Sequence, residues 1–101
     1  MIAAQTGDYV LVRSYAMGVH AGELVEKSET RVVLKNTRRI FSWDGAASLS
    51  QLALEGTKKP GTCKFSVELA CNEITSPQGL EIMPVTTEAR ESIASVKVWK
   101  V

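Results

Sequence analysis

The first half of the chain alternates apolar and polar side chains. From Asp8 to Tyr15, residues Tyr9, Leu11, Arg13 and Tyr15 fall on one side of an extended chain, with Val10 and Val12 on the other. That period of two, rich in β-branched and aromatic residues, predicts a strand. Val19 to Lys27 predicts a second strand after the bend at Met17-Gly18, and Gly22 inside it marks either a bulge or a close backbone approach. Beyond the polar turn Ser28–Thr30, residues 31–36 and 38–43 predict a third strand, or two strands joined at a kink near Asn36-Thr37. Neighbouring hairpins of this kind make an antiparallel meander.

At Asp44-Gly45 the period changes. Leu49, Leu52 and Ala53 follow i, i+3, i+4 spacing, which predicts a short helix ending at Gly56. Asp44 or Ser48 caps it, Ser48 with Gln51 in the capping-box position, and Gly56 suits a left-handed stop. Lys58 to Gly61 reads as a loop. Cys63, Phe65, Val67, Leu69 and Cys71 then alternate against Lys64, Ser66 and Glu68, predicting one strand from Lys64 to Thr75 whose odd-numbered face enters the core. A turn at Ser76–Gly79 leads to a strand from Leu80 to Val85, ended by Pro84, and to a second helix capped by Thr86 or Thr87 and running to about Ser95. Val96 to Val101 alternates strictly and predicts a closing strand. The whole pattern predicts an α+β fold, an antiparallel β-sheet meander with two short helices, in a single domain over residues 1–101.

Composition narrows the function classes. With 45% hydrophobic residues in 101, the chain can bury one core and is too short for two. Twelve basic against 11 acidic side chains leave a net charge of +1, which excludes a strong global field for bulk nucleic acid or an anionic membrane, so anion recognition has to be local. No apolar run approaches the roughly 18 residues of a membrane helix, and the start of the chain lacks a signal-peptide pattern, so a cytoplasmic protein is expected. Cys63 and Cys71 lie eight residues apart, about 26 Å along a strand, too far for a disulfide within it. Both are expected to be reduced, buried thiols. With a single histidine and no CxxC pair, neither a metal site nor a cofactor is expected.

Catalytic motifs are scarce. His20 is the one imidazole, there is no nucleophile elbow or phosphate loop, and the carboxylates form no obvious pair, so an enzyme is not expected. Polar and aromatic residues do recur together within strands: Arg13 with Tyr15, Arg38 and Arg39 beside Phe41 and Trp43, and His20 between Gly18 and Gly22. Forked guanidinium donors suit phosphate, and aromatic rings stack on bases. These seven residues are the candidate ligand contacts, although Arg38 and Arg39 should point to opposite faces. Each has a plainer reading as a core plug or a surface side chain.

The segments Val12–Gly22, Val33–Ala47 and Val96–Lys100, with Gly-Val-His-x-Gly at 18–22 and Arg-Arg-Ile-aromatic-x-Trp at 38–43, resemble a family of small proteins of unknown function encoded by bacteriophages and prophages. The resemblance covers nearly the whole chain, with Phe41 where many relatives are expected to carry tryptophan. It implies a phage protein in the host cytoplasm. By analogy with anti-defence sponges, such a protein would be a homo-oligomer that sequesters a cyclic-nucleotide or cyclic ADP-ribose-type immune signal. The alternatives are an inhibitor docking on a host defence factor and a virion structural or assembly protein.

Overall fold

The computed structural model describes residues 3–100 as an antiparallel sheet of six strands with two helices, an α+β fold. The strands are β1 (Tyr9–Ser14), β2 (Gly18–Lys27), β3 (Arg31–Ser42), β4 (Lys64–Phe65), β5 (Leu69–Thr75) and β6 (Leu80–Pro84). Helix α1 (Leu49–Glu55) and a single 3-10 turn at Pro60–Thr62 separate β3 from β4, and α2 (Thr87–Ser95) follows β6. The first three strands form the expected meander. β6 adds to the outer side of β1, while β4 and β5 share the outer side of β3.

Connection lengths make this sheet roll up. β5 and β6 are consecutive in sequence yet lie at opposite ends of the order β5-β3-β2-β1-β6. A flat sheet would hold them roughly 19 Å apart at about 4.8 Å per strand. The turn between them closes by the Gly79 N–H donating to the Ser76 carbonyl at 2.9 Å, which keeps its ends within about 7 Å. The sheet therefore curls into a small open barrel. Its concave side is sealed by Val10, Val12, Leu24, Val32, Leu34 and Ile74, a buried cluster containing no helix residue. Its convex side carries Leu11, Ala21, Ile40 and Phe65 under Leu52 and Ala53 of α1 and Ile93 of α2. Val10, Leu11 and Val12 are thus buried on both faces of β1, while Arg13 stays exposed.

A bulge in β3 decides which face each arginine takes. Asn36 has φ +49°, and the pairing advances three residues on β3 against two on β2, from Lys35 opposite Glu23 to Arg38 opposite Ala21. Asn tolerates the left-handed conformation better than most residues. Gly22 meets the bulge directly: a Cβ there would lie 2.7 Å from the Thr37 Cβ, and the Thr37 hydroxyl donates to the Ala21 carbonyl at 2.8 Å. Without the extra residue, Ile40 would share a face with Val32 and Leu34. Instead Val32 and Leu34 enter the barrel, whereas Ile40 lies under the helices.

The helices are closed by side chains. Ser48 accepts from the Gln51 N–H, and Gln51 reaches back to the Ala47 N–H. Thr86 caps α2 through the Ala89 N–H and also donates its hydroxyl to the Leu54 carbonyl at 2.7 Å, joining the two helices. Gly56 ends α1 with φ +75°, and a Cβ there would lie 2.3 Å from the Ser92 Cβ.

Three expectations change. The strand over Lys64–Thr75 is broken: residues 66–68 cross between β4 and β5, so Cys63 and Phe65 enter the core while Val67, Leu69 and Cys71 are exposed. The phase shifts because Phe65 pairs with Ile40, whose side chain lies under the helices, whereas Leu69 pairs with Thr37 at the mouth of the barrel. Only Cys63 is therefore a buried thiol. The closing strand is reduced to a single bridge of Val98 with Phe65, with the Trp99 N–H donating to the Phe65 carbonyl, because β4 offers two residues of edge. Val101 lies outside the described residues.

Candidate functional site

Direct cross-strand partners share a face of a sheet. Ile82, Val12, His20 and Arg39 form one such row on the concave side, and Met83, Leu11, Ala21 and Arg38 form the next row on the convex side. The two adjacent arginines therefore part company, as alternation demands.

On the concave side, the mouth of the barrel forms a pocket of about 240 Å³ lined by His20, Arg39, Phe41, Val67, Leu69 and Asn72 among others. His20 is its floor, 1% exposed. The Arg39 Nε–H donates to the imidazole Nε2 at 3.1 Å, so that nitrogen is unprotonated and the proton sits on Nδ1, which is buried without a partner among the described residues. Burial, and then the Arg39 charge, push the imidazole down to about 4, so it is neutral at physiological pH. Arg39 itself is exposed and, among the described residues, has no carboxylate within ion-pair distance. Phe41, two residues further along β3, is 53% exposed and packs edge-on against Trp99 with ring centres 5.3 Å apart.

On the convex side, Arg38 is only 6% exposed. Its Nε donates to the Ser66 carbonyl and its Nη1 to the Ile93 carbonyl, both at 2.9 Å, and the guanidinium lies 5.3 Å from the centre of the Phe65 ring. It thereby ties β3 to the 66–68 crossing and to the carbonyl end of α2, where a cation is favoured. Burial lowers its proton affinity below that of an ordinary arginine, and no carboxylate lies within ion-pair distance among the described residues.

The remaining candidates sit elsewhere. Arg13, paired with Glu81 and Val19, lines a separate cleft of about 410 Å³ with Trp43, Ser48 and Ser50. The Trp43 indole donates to the Ala46 carbonyl at 3.2 Å and packs partly into the helix-side core. Tyr15 stands in the β1–β2 turn, 87% exposed. The fold thus brings together His20, Arg39 and Phe41, joins Arg13 to Trp43 in one cleft and to Tyr15 in another, and holds Arg38 apart from all of these. Sequence reasoning missed Leu69, Val67 and Asn72 in the mouth pocket, because it read the first two as core. A hint lay in Ser66 and Glu68, polar residues whose strand could as well have been crossing solvent. It also missed Tyr9, Asn36, Glu68 and Arg90 around Arg38, which converge from four separate segments.

The family described as a domain of unknown function (DUF6948) matches residues 7–93. The chain belongs to that family. The DUF6948 span contains all seven candidate residues and both helices up to Ile93, and it stops before Val96, Val98 and Trp99. No curated protein and no solved structure matches the chain. Among the described residues no group of three His, Cys, Asp or Glu side chains is arranged to hold a metal ion, and no helix is long and apolar enough to cross a membrane.

Proposed function

We propose that this protein is a non-enzymatic binder that sequesters a nucleotide-derived anion, of the cyclic-nucleotide or cyclic ADP-ribose class, at the His20–Arg39–Phe41 mouth, in a phage counter-defence role. The observation that carries this reading is the pairing of Arg39, a cation with no carboxylate beside it among the described residues, with Phe41, an exposed ring two residues along the same strand face. A forked guanidinium suits phosphate, and a base stacked on an aromatic ring contributes about 1–3 kcal/mol. His20 holds Arg39 by its Nε and leaves the outer donors to a ligand. Since that nitrogen of the imidazole is occupied and the other is buried, His20 is a positioning residue and not a general base. The phage setting rests on the resemblance in residues 18–22 and 38–43.

The pocket, at about 240 Å³, is smaller than the roughly 300–1,000 Å³ of typical ligand sites. Phe41, Val67 and Leu69 on its wall, with Trp99 against Phe41, are exposed apolar side chains near the open edge of β5. Both features support a homo-oligomer in which a second copy completes the wall. The test is a thermal-shift panel of cyclic nucleotides and cyclic ADP-ribose isomers on the native protein and on the Arg39→Ala and Phe41→Ala variants, with the mass measured by light scattering. A saturable rise in Tm, lost in both variants while their unliganded Tm stays put, is expected. A shift indifferent to both substitutions, or no shift with any member, overturns the reading and favours a protein partner on the same apolar surface.

A further inference from the structure

A second cavity, of about 290 Å³, lies on the convex side between β3, the 66–68 crossing and α2, and is lined by Tyr9, Arg38, Glu68, Arg90, Ala94 and Val96 among others. It has the construction of a polar site with an apolar wall. Arg38 is buried, and the two N–H groups of its Nη2 have no acceptor among the described residues. A buried donor left in that state is destabilising, and the more so when it is charged. Arg90 stands opposite, its guanidinium 4.6 Å from the centre of the Tyr9 ring and held by the Glu23 carboxylate at 2.8 Å. Burial raises the Tyr9 phenol above its ordinary range, so it stays neutral and adds no charge to the cavity.

The charge inventory limits the ligand. Two guanidinium groups face one lining carboxylate, Glu68, and Arg90 is already partly neutralised by Glu23. A di- or triphosphate would meet Glu68 at close range, whereas a single carboxylate satisfies the arginines without excess charge. Glu68 in turn suits an ammonium on the same molecule. Ala94, Val96 and Val98 supply an apolar wall for a hydrocarbon substituent.

We infer that this cavity is a second binding site, distinct from the barrel mouth, for a small zwitterion of the α-amino-acid type, with its carboxylate between Arg38 and Arg90, its ammonium toward Glu68 and its apolar side chain on Val96 and Val98. A ligand carboxylate supplies the acceptor that Nη2 lacks, which requires a small outward movement of the Tyr9–Arg90 stack. The inference is independent of any nucleotide at Arg39, which is on the other face.

The experiment is an amide and arginine Nε–H NMR titration of the full chain with L-leucine, with leucinamide, which lacks the carboxylate, and with hexanoate, which lacks the ammonium. Leucine is expected to give saturable shifts at the Arg38 Nε–H and at the Ala94, Val96 and Val98 amides. Arg90→Gln should weaken that binding roughly tenfold, the loss of one charge-assisted bond. Leucinamide should not bind. Glu68→Gln should weaken leucine and leave hexanoate unchanged or tighter, while Arg39→Ala should alter neither. Both Arg90 and Glu68 are exposed, so these variants keep the fold. Absence of saturable shifts at these amides, or shifts that persist undiminished in Arg90→Gln, would overturn the assignment.

Discussion

Acidification should weaken this fold through His20, and the size of the effect follows from where the imidazole sits. In the unfolded chain the ring titrates near 6.5; in the barrel, burial and then Arg39 push it down to about 4. Above pH 6.5 both states hold a neutral ring, and His20 contributes no pH dependence. Between 6.5 and about 4 the unfolded chain takes up a proton that the native chain refuses, so stability falls as pH falls through that window and levels off beneath it. The gap from 6.5 to about 4, at about 1.4 kcal/mol per pH unit, sets a ceiling of about 3.5 kcal/mol. Water at the pocket mouth screens the Arg39 charge, which brings the expected loss to about 1–2 kcal/mol. Urea unfolding of the native protein and of His20→Gln, at about pH 7 and about pH 5, reads the difference, since both proteins share every other titrating group. Glu23 adds little in that range. Burial raises its carboxyl, but hydrogen bonds from Asn36 and Arg90 and the charges of Arg90 and Lys35 outweigh it, so its stabilisation is lost only as the pH drops below about 4.5. Because the chain has one histidine, its imidazole NMR signals need no assignment. A ring titrating near its ordinary value, or equal pH slopes in the two proteins, would refute the reasoning.

Three other outcomes follow from particular contacts. Gly56→Ala should cost about 2–4 kcal/mol in urea unfolding, since its Cβ would lie 2.3 Å from Ser92 at a residue with φ +75°; Ser92→Gly in the same chain should recover part of that loss. Asn36→Val should cost about 1–2 kcal/mol by forcing a β-branched residue to φ +49°, whereas Asn36→Gly should be close to neutral. In a thiol-labelling time course, one cysteine per chain, Cys71, should react at once and Cys63 only on unfolding, because Cys63 is buried among the Asp44, Thr57 and Lys59 oxygens.

Local chemistry was sufficient for most of the elements. Alternation in Tyr9–Ser14, the hydroxyl caps Ser48 and Thr86, the stop at Gly56 and the kink at Asn36-Thr37 are all short-range properties, decided by sterics and hydrogen bonds within a few residues. The clustering of Arg39 with Phe41 was legible too, since residues two apart on a strand share a face. The unbroken apolar alternation from Cys63 to Cys71 misled because it is compatible with any extended path, and nothing within that segment says that Ser66 to Glu68 leaves the sheet. That exit is set by the partners on β3, because Phe65 pairs with Ile40 and Leu69 with Thr37, residues on opposite sides of the sheet. Tertiary structure alone decided that the sheet curls, since the curl comes from a four-residue turn joining opposite edges. It also decided that Arg38 becomes a buried clamp facing Arg90 and Tyr9. Those contacts link residues far apart in the chain, such as Arg38 with the carbonyl of Ile93, and no periodicity records them. A sequence pattern states which side of its own element a residue occupies; which other element covers that side depends on pairing and closure.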